Sequence, residues 1–185
     1  ANRPPMPEDM AVQIPYIKKV VEGFRLAVIE APGFEADDLI GTLADKAAAD
    51  GYEVVIVTGD KDFLQLVSKQ ISIWDPMKDR VVDEAVVAED YGLAPAQMTD
   101  AMGLAGDAAD NIPGVPGVGM KTAVKLIAEF GSMESLYRNL DRIKAKKQRE
   151  KLAEHREQAE MSRKLAAIAR DAPADLAPES FRVVD

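Results

Sequence analysis

Strand patterns are confined to the first half of this sequence, and that restricts the possible folds more than any other feature. Residues 53–58 form a continuous β-branched run, and residues 25–30 and 71–74 are two shorter strand candidates. Helical patterns lie between them, which predicts a parallel sheet with right-handed crossovers. From residue 95 onward only helices are predicted. We therefore expect an α/β domain at residues 1–94 and an all-helical module at residues 95–185.

The finer predictions follow from apolar periodicity and from Gly and Pro stop signals. The pair Val81 and Val82 is expected to form a short hairpin partner for the third strand. The apolar stripe of the first helix is expected to belong to the core, and the end of the chain to be an extended tail. Helices are predicted at residues 7–22, 34–50, 63–66, 83–91, 95–104, 120–130, 132–139 and 144–168.

Composition excludes several kinds of site and of location. The 185 residues contain no cysteine, so a metal must be held by oxygen ligands or by the single histidine, His155, which we expect to be a solvated surface residue. No apolar run approaches the roughly 18 residues that a membrane helix needs, so a soluble, cytoplasmic protein is expected.

The net charge of −9 is unevenly distributed along the chain. Residues 1–110 contain 9 basic and 21 acidic side chains, whereas residues 111–170 contain 13 basic and 7 acidic ones. An acidic half followed by a basic half suits a protein that concentrates cations with one part and binds a polyanion with the other.

Three short segments carry the acidic side chains that we select as a metal site. If the predicted strands form, two of these segments follow the ends of neighbouring strands, and one helical turn would point the two acids of the third in the same direction. Such a cluster needs cations to offset its repulsion, and oxygen ligands favour Mg²⁺ or Mn²⁺. Each acid alone also fits a helix cap or a solvated surface position. The selected residues are Glu35, Asp37, Asp38, Asp60, Asp62, Asp107 and Asp110.

Two such ions about 3.5 to 4 Å apart would activate a water molecule and stabilise the leaving oxygen of a phosphodiester, with no need for a protein nucleophile. A phosphatase that acts on small molecules is a weaker alternative, because residues 57–60 resemble an acidic loop of haloacid-dehalogenase-like enzymes. The strand that would supply the aspartate nucleophile of such an enzyme is missing from the pattern.

A glycine-rich turn precedes the predicted helix at residue 120 and is our candidate for DNA binding. Glycines let a backbone approach a phosphate closely, and two lysines lie one turn apart on the helix that follows. This pattern is typical of a helix-hairpin-helix contact with one phosphate backbone, although a tight interhelical connection would look the same. The register excludes a P-loop and a dinucleotide-binding turn. The candidates are Gly114, Gly117, Gly119, Lys121, Thr122 and Lys125.

The motifs at residues 34–38, 58–62 and 106–123 resemble, in order and spacing, the 5′-3′ exonuclease domain family of bacterial DNA polymerase I, which is related to the flap endonucleases. The resemblance implies a PIN-like α/β fold whose parallel sheet is incomplete at its N-terminal side, followed by a helix-three-turn-helix module. It also implies a metal-dependent nuclease that removes 5′ flaps and RNA primers.

By this resemblance Glu35, Asp37, Asp38 and Asp60 are ligands of one ion, and Asp62, Asp107 and Asp110 are ligands of the second, with Asp60 between the two. We assign catalysis to Asp60, Asp62 and Arg3, the last as a phosphate contact near the scissile bond. The glycine turn is expected to bind duplex DNA and to hold a monovalent cation such as K⁺.

The family pattern includes an upstream segment with a strand and further metal ligands, which this sequence lacks. We therefore expect a fragment of a longer polymerase, whose partners are the remainder of that chain and DNA with a 5′ flap, a nick or an RNA primer. A DNA-binding module without catalysis is the alternative.

Overall fold

The computed structural model describes residues 5–175 and 177–183. Its three strands are β1 (Val54–Val57), β2 (Ile71–Asp75) and β3 (Arg80–Val82). The α-helices are α1 (Glu8–Gly23), α2 (Ala36–Ala49), α3 (Glu84–Tyr91), α4 (Met98–Ala105), α5 (Met120–Phe130), α6 (Met133–Arg138), α7 (Lys146–Glu154) and α8 (Arg156–Ala166). Four 3₁₀ helices lie at Lys61–Leu66, Pro95–Gln97, Leu140–Arg142 and Pro178–Phe181. No helix within these ranges is long and apolar enough to cross a bilayer.

The three strands form one sheet in the order β1-β2-β3. β1 pairs in parallel with β2, and β3 folds back on β2 as an antiparallel hairpin partner, so both predicted pairings are confirmed. Alternate residues of the parallel pair, among them Ile56, Ile71 and Ile73, are buried, which fixes the register because a slip of one residue would expose them all. The carboxyl end of β1 leads directly into the acidic segment at residues 60–62.

The prediction of a strand at residues 25–30 is wrong. Arg25 has a left-handed backbone with φ of 58°, and the residues after it join no sheet. Leu26 and Val28 are 46% and 48% exposed. An apolar run becomes a strand only when a neighbour supplies its ladder of hydrogen bonds, and no described strand pairs with this run or with the outer edge of β1. A groove of about 490 Å³ lies between the run, α2 and β1.

The prediction that the apolar stripe of α1 belongs to the core is also wrong. The helix itself forms as predicted, but none of its residues is buried. Ile14, Ile17 and Val20 are all exposed. Periodicity correctly predicts that an apolar face exists. The local sequence does not show which other part of a fold would cover that face.

The helices of the C-terminal half pack around α4, which lies against α5 and α8. Leu104, Ile127 and Leu152 of this half belong to the same core cluster as Phe63 and Leu66 of the first half. The prediction of a single long helix at residues 144–168 is wrong in one respect. The helix is interrupted at residue 155, which separates α7 from α8. The two halves therefore share one continuous core, which holds the acidic segments of the first half beside the loops of the second.

The tail predicted to be extended forms no helix or strand at residues 171–175, and a 3₁₀ helix begins at Pro178. Ala172 and Ala174 are buried against α2, and the backbone N–H of Ala172 donates to Thr42 Oγ1 at 3.0 Å. The tail therefore closes over the helix that carries the first group of acids.

Candidate active site

Residues 58–62 form a loop at the carboxyl end of β1 that fixes two of the selected acids. The N–H of Asp60 donates to Thr58 Oγ1 at 3.1 Å, and Asp60 Oδ1 accepts from the N–H of Asp62 at 2.9 Å. Asp60 thus caps the 3₁₀ helix Lys61–Leu66. The Asp60 carboxylate and the backbone of Asp62 are therefore fixed by local hydrogen bonds.

Asp62 is the most perturbed acid of the site. Its Oδ1 atom is buried and has no hydrogen-bond partner among residues 5–175 and 177–183. Burial, followed by the negative charge of Asp60, raises the pKa of Asp62 to about 6. A buried carboxylate oxygen without a donor costs free energy, which suggests that a cationic partner is needed to complete this position.

The segment at residues 107–112 is a tight turn and not the helical turn that we expected from the spacing of its acids. Asp107 and Ile112 form an isolated antiparallel bridge, exchanging two backbone hydrogen bonds of 2.8 Å each. Asn111 turns the chain with φ of 58°. The three-residue spacing of Asp107 and Asp110 therefore does not place them on one helix face, because this backbone bridge and the left-handed Asn111 shape the segment.

Lys61 connects two of the acidic segments across the boundary between the halves. Its Nζ donates to Asp107 Oδ2 at 2.7 Å. This bond is the main reason why the pKa of Asp107 is lowered and that of Lys61 raised. Sequence reasoning missed Lys61, although its position between two of the selected acids was a possible signal.

The acids at residues 35–38 lie at the start of α2. The pKa of Asp37 is raised, first by burial and then by the negative charge of Asp60, which shows that this segment and the 58–62 loop are electrostatically coupled. Asp38 has a second role, because its Oδ1 accepts from the N–H of Ala169 at 2.9 Å and its Oδ2 from the N–H of Glu35 at 3.3 Å. It holds the tail onto α2.

The glycine turn between α4 and α5 is held by side chains of α8. The N–H of Gly114 donates to Ser162 Oγ at 3.0 Å, and Gln158 Nε2 donates to the carbonyl of Gly114 at 2.6 Å. Gly114 has φ of 59°, and a Cβ there would lie 2.4 Å from the backbone N of Gly106, so only glycine fits. Sequence reasoning missed both α8 side chains, because they lie more than 40 residues from the turn.

The turn presents an open, basic surface. Gly117 has φ of 82°, and Lys151 Nζ lies 3.0 Å from the position that its Cβ would occupy. Gly119 precedes the first residue of α5 with no side-chain cap, and nothing lies within 4 Å of its Cβ position. Lys121 and Lys125 are exposed on α5, and Thr122 is half-buried. The predicted DNA-binding residues thus lie together, whereas Arg3 falls outside the described residues.

Two family models together match the whole chain. Residues 1–92 match the N-terminal resolvase-like domain of 5′-3′ exonucleases, and residues 93–185 match their C-terminal SAM fold. The chain belongs to the 5′-3′ exonuclease family. The division at residue 94 stays a prediction.

Curated relatives of this 5′-3′ exonuclease chain are bacterial DNA polymerases I. The chain is 44% identical to DNA polymerase I of Bacillus caldotenax over 180 residues, 95% of this chain and 20% of that protein. It is 45% identical to the thermostable DNA polymerase I of Thermus filiformis over 182 residues, 98% of this chain and 22% of that protein. The chain spans about a fifth of the length of these relatives.

Solved structures share the fold of this exonuclease chain. The zinc-bound 5′-exonuclease of phage T5 aligns with a TM-score of 0.74 and 21% identity, over 88% of this chain and 62% of that one. The phage T5 flap endonuclease complex with DNA and metal ions aligns with a TM-score of 0.75 and 21% identity, over 88% of this chain and 62% of that one. The catalytic core of Rad2 with DNA substrate aligns at 0.57 and 22%, over 90% of this chain and 59% of that one. These likenesses confirm the predicted α/β and helical fold, with the small sheet being mixed rather than purely parallel.

The donor chemistry of the candidate acids fits hard divalent ions. All the selected ligands are carboxylates, one of which has an unpartnered buried oxygen, and the pKa values of Asp37 and Asp62 are raised. In the described part of the chain, however, no three His, Asp or Glu side chains stand close enough to hold one ion. Negative charges of the other segments contribute to the raised pKa values of Asp37 and Asp62, so the three acidic segments act on one another electrostatically. The assignment of individual ligands stays a prediction.

Proposed function

We propose that this chain is the nuclease part of a longer polypeptide and that it hydrolyses phosphodiester bonds of DNA in the 5′ to 3′ direction. Its substrates are duplexes with a 5′ flap, a nick or an RNA primer, and its roles are primer removal in replication and DNA repair in the bacterial cytoplasm. One observation carries the proposal: Asp62 Oδ1, buried without a hydrogen-bond partner in the described part of the chain, lies in the same loop as Lys61, which donates to Asp107 of the second half.

The metal ligands proposed for a first ion are Glu35, Asp37, Asp38 and Asp60, and those for a second are Asp62, Asp107 and Asp110, with Asp60 between them. Two bound Mg²⁺ or Mn²⁺ ions would supply an activated water and stabilisation of the leaving oxygen.

The residues of the chain itself prepare this site. Lys61 keeps Asp107 ionised by donating to it, and Asp60 holds the backbone of Asp62 in place. Arg3 would contact the phosphate near the scissile bond. Asp60, Asp62 and Arg3 are the residues to which we assign catalysis.

DNA binding is proposed at the glycine turn, through backbone groups at Gly114, Gly117 and Gly119 and through the side chains of Lys121, Thr122 and Lys125. Contacts of this kind bind phosphates and ignore base sequence, so they suit an enzyme that selects structure. Carbonyls of the turn would hold K⁺. The DNA complexes of the T5 flap endonuclease and of Rad2 support the proposal by their shared fold.

A flap-cleavage assay with the full-length protein and Mg²⁺ tests this function. We expect Asp62→Asn and Asp107→Asn to lower the cleavage rate by at least about 100-fold, because each removes a ligand charge. Glu53→Gln is the matched control, since it removes one exposed acid before β1 and should leave the rate unchanged. Normal cleavage by either aspartate variant would refute the proposal.

A DNA-binding module without catalysis is the second candidate. It is favoured by the absence, among residues 5–175 and 177–183, of any three acids in ion-binding proximity. Its prediction is that the full-length protein binds flapped duplexes with steep salt dependence but cuts none of them at any Mg²⁺ or Mn²⁺ concentration.

A further inference from the structure

We propose that Gln65 is a positioning residue, which fixes the loop of Asp62 to the C-terminal end of α8. This inference rests on the proposed function, because it assigns Gln65 a role in the placement of a metal ligand. Gln65 lies on the 3₁₀ helix Lys61–Leu66 and is only 7% exposed. A buried amide of this kind is normally kept because its hydrogen bonds define a structure.

Every hydrogen-bonding position of the Gln65 amide is used. Its Nε2 donates to the carbonyl of Asp62 at 3.0 Å and to the carbonyl of Ala166 at 2.9 Å. Its Oε1 accepts from the N–H of Ile168 at 3.0 Å and from Thr99 Oγ1 at 3.4 Å. An amide has two donor hydrogens and two acceptor lone pairs, so the four contacts exhaust its capacity.

These bonds join segments that are far apart in the sequence. Ala166 is the last residue of α8, so its carbonyl has no partner within the helix, and Gln65 takes the place of a cap. Arg170 adds a parallel connection, since its Nη2 donates to the backbone carbonyl of Gln65 at 2.9 Å while its Nη1 pairs with Asp45. The Asp62 loop is thereby attached to the chain that follows α8.

The same helix also holds the glycine turn. Gln158 and Ser162 of α8 bind the backbone of Gly114. One helix thus contacts the proposed DNA-binding turn along its side and the proposed metal site at its end. Gln65 makes the contact at the end of α8, so it fixes where Asp62 lies relative to a phosphate backbone bound at the glycine turn.

Gln65→Met in the full-length protein tests this role, because methionine preserves the volume and removes all four hydrogen bonds. Loss of a residue that orients a ligand typically costs 10- to 100-fold in metal affinity or activity. We expect the Mg²⁺ concentration for half-maximal flap cleavage to rise about 10-fold and the single-turnover rate at saturating Mg²⁺ to fall about 10-fold or more. Flap affinity measured in Ca²⁺ should stay within about 2-fold, because Gln158 and Ser162 still hold the turn.

Two further variants separate positioning from folding. Gln70→Met is the matched control, because that glutamine is exposed and its Nε2 donates to the carbonyl of Ala48 only at the long distance of 3.4 Å. It should behave as wild type. Thr99→Val removes only the weakest of the four bonds and should raise the half-maximal Mg²⁺ concentration about 2- to 3-fold. If Gln65→Met does not fold, the Mg²⁺ dependence of Thr99→Val tests the positioning role in its place.

The possible outcomes are distinguishable. A wild-type protein that does not cut, or an Asp62→Asn variant that cuts normally, refutes the proposed function itself. If wild type cuts and Asp62→Asn does not, the proposed function stands and the positioning role is tested separately. An unchanged Mg²⁺ dependence of folded Gln65→Met then overturns the positioning role alone. If Gln65→Met does not fold, an unchanged Mg²⁺ dependence of Thr99→Val overturns it instead. A lower melting temperature with unchanged Mg²⁺ dependence overturns it too, because Gln65 would then serve only stability.

Discussion

Replacing Asp62 by Asn should stabilise the metal-free chain while abolishing its proposed activity. The pKa of Asp62 rises from 3.8 to about 6 in the folded state, so the folded protein binds this proton more tightly than the unfolded chain does. The sign of the effect follows from linkage: the contribution of Asp62 is most favourable below pH about 4 and is lost as the pH rises through about 6. At pH 7 the ionised side chain is therefore a net cost.

The size of that cost follows from the shift of about two pH units, which corresponds to about 3 kcal/mol at 1.36 kcal/mol per unit. Asp62 is only half-buried, and water screens part of its repulsion with Asp60. We therefore expect Asp62→Asn to raise the free energy of unfolding by about 1 to 2 kcal/mol at pH 7. For a chain of this length the melting temperature should rise by about 2 to 4 °C for each kcal/mol.

Urea unfolding of the chain in EDTA, at several pH values between 4 and 7.5, measures this difference. Glu53→Gln is the control for the loss of one negative charge. The difference in free energy of unfolding between Asp62→Asn and wild type should shrink toward zero at about pH 4, where the wild-type carboxyl is protonated in the folded state. A variant no more stable than the control at pH 7, or a gain that does not change with pH, would refute the reasoning.

Three other changes test separate parts of the site. Lys61→Met should raise the pKa of Asp107 toward its ordinary value and slow flap cleavage, so a pH–rate profile that is unchanged on its acid side would contradict the role of Lys61. Gly114→Ala should cost at least about 2 kcal/mol in urea unfolding because of its left-handed backbone and its crowded Cβ position, whereas Gly119→Ala meets open space and should cost much less. Lys151→Ala should weaken flap binding and reduce the slope of log K against log salt concentration by about 1, and an unchanged slope would exclude a phosphate contact.

The sequence predicted those features that are decided locally. β1, the hairpin of β2 and β3, and the helix at Met120–Phe130 follow from β-branched runs, apolar periodicity and glycine stops. The glycine turn was predicted for the same reason, because glycine is required wherever the backbone is left-handed or crowded, as at Gly114.

The failures concern features that depend on distant residues. Residues 25–30 have strand composition but no described strand beside them, and the apolar face of α1 is uncovered. The turn at residues 107–112 is a local failure by contrast, because it is closed by a bridge within the segment that its acid spacing does not encode. Gln65 and Gln158 gave no local signal, because all but one of their side-chain partners are 34 to 103 residues away. Contacts at that range are set by packing and cannot be read from local patterns.

Anomalous diffraction from crystals of the full-length protein soaked in Mn²⁺ would test the central claim most directly, namely that acids from three separate segments form one cation site. We expect Mn²⁺ peaks coordinated by Asp62 Oδ1 and by carboxylates of the other two segments, Asp37 and Asp107 among them. Crystals in which well-ordered Mn²⁺ lies only elsewhere, with Asp62 Oδ1 still unpartnered, would contradict it.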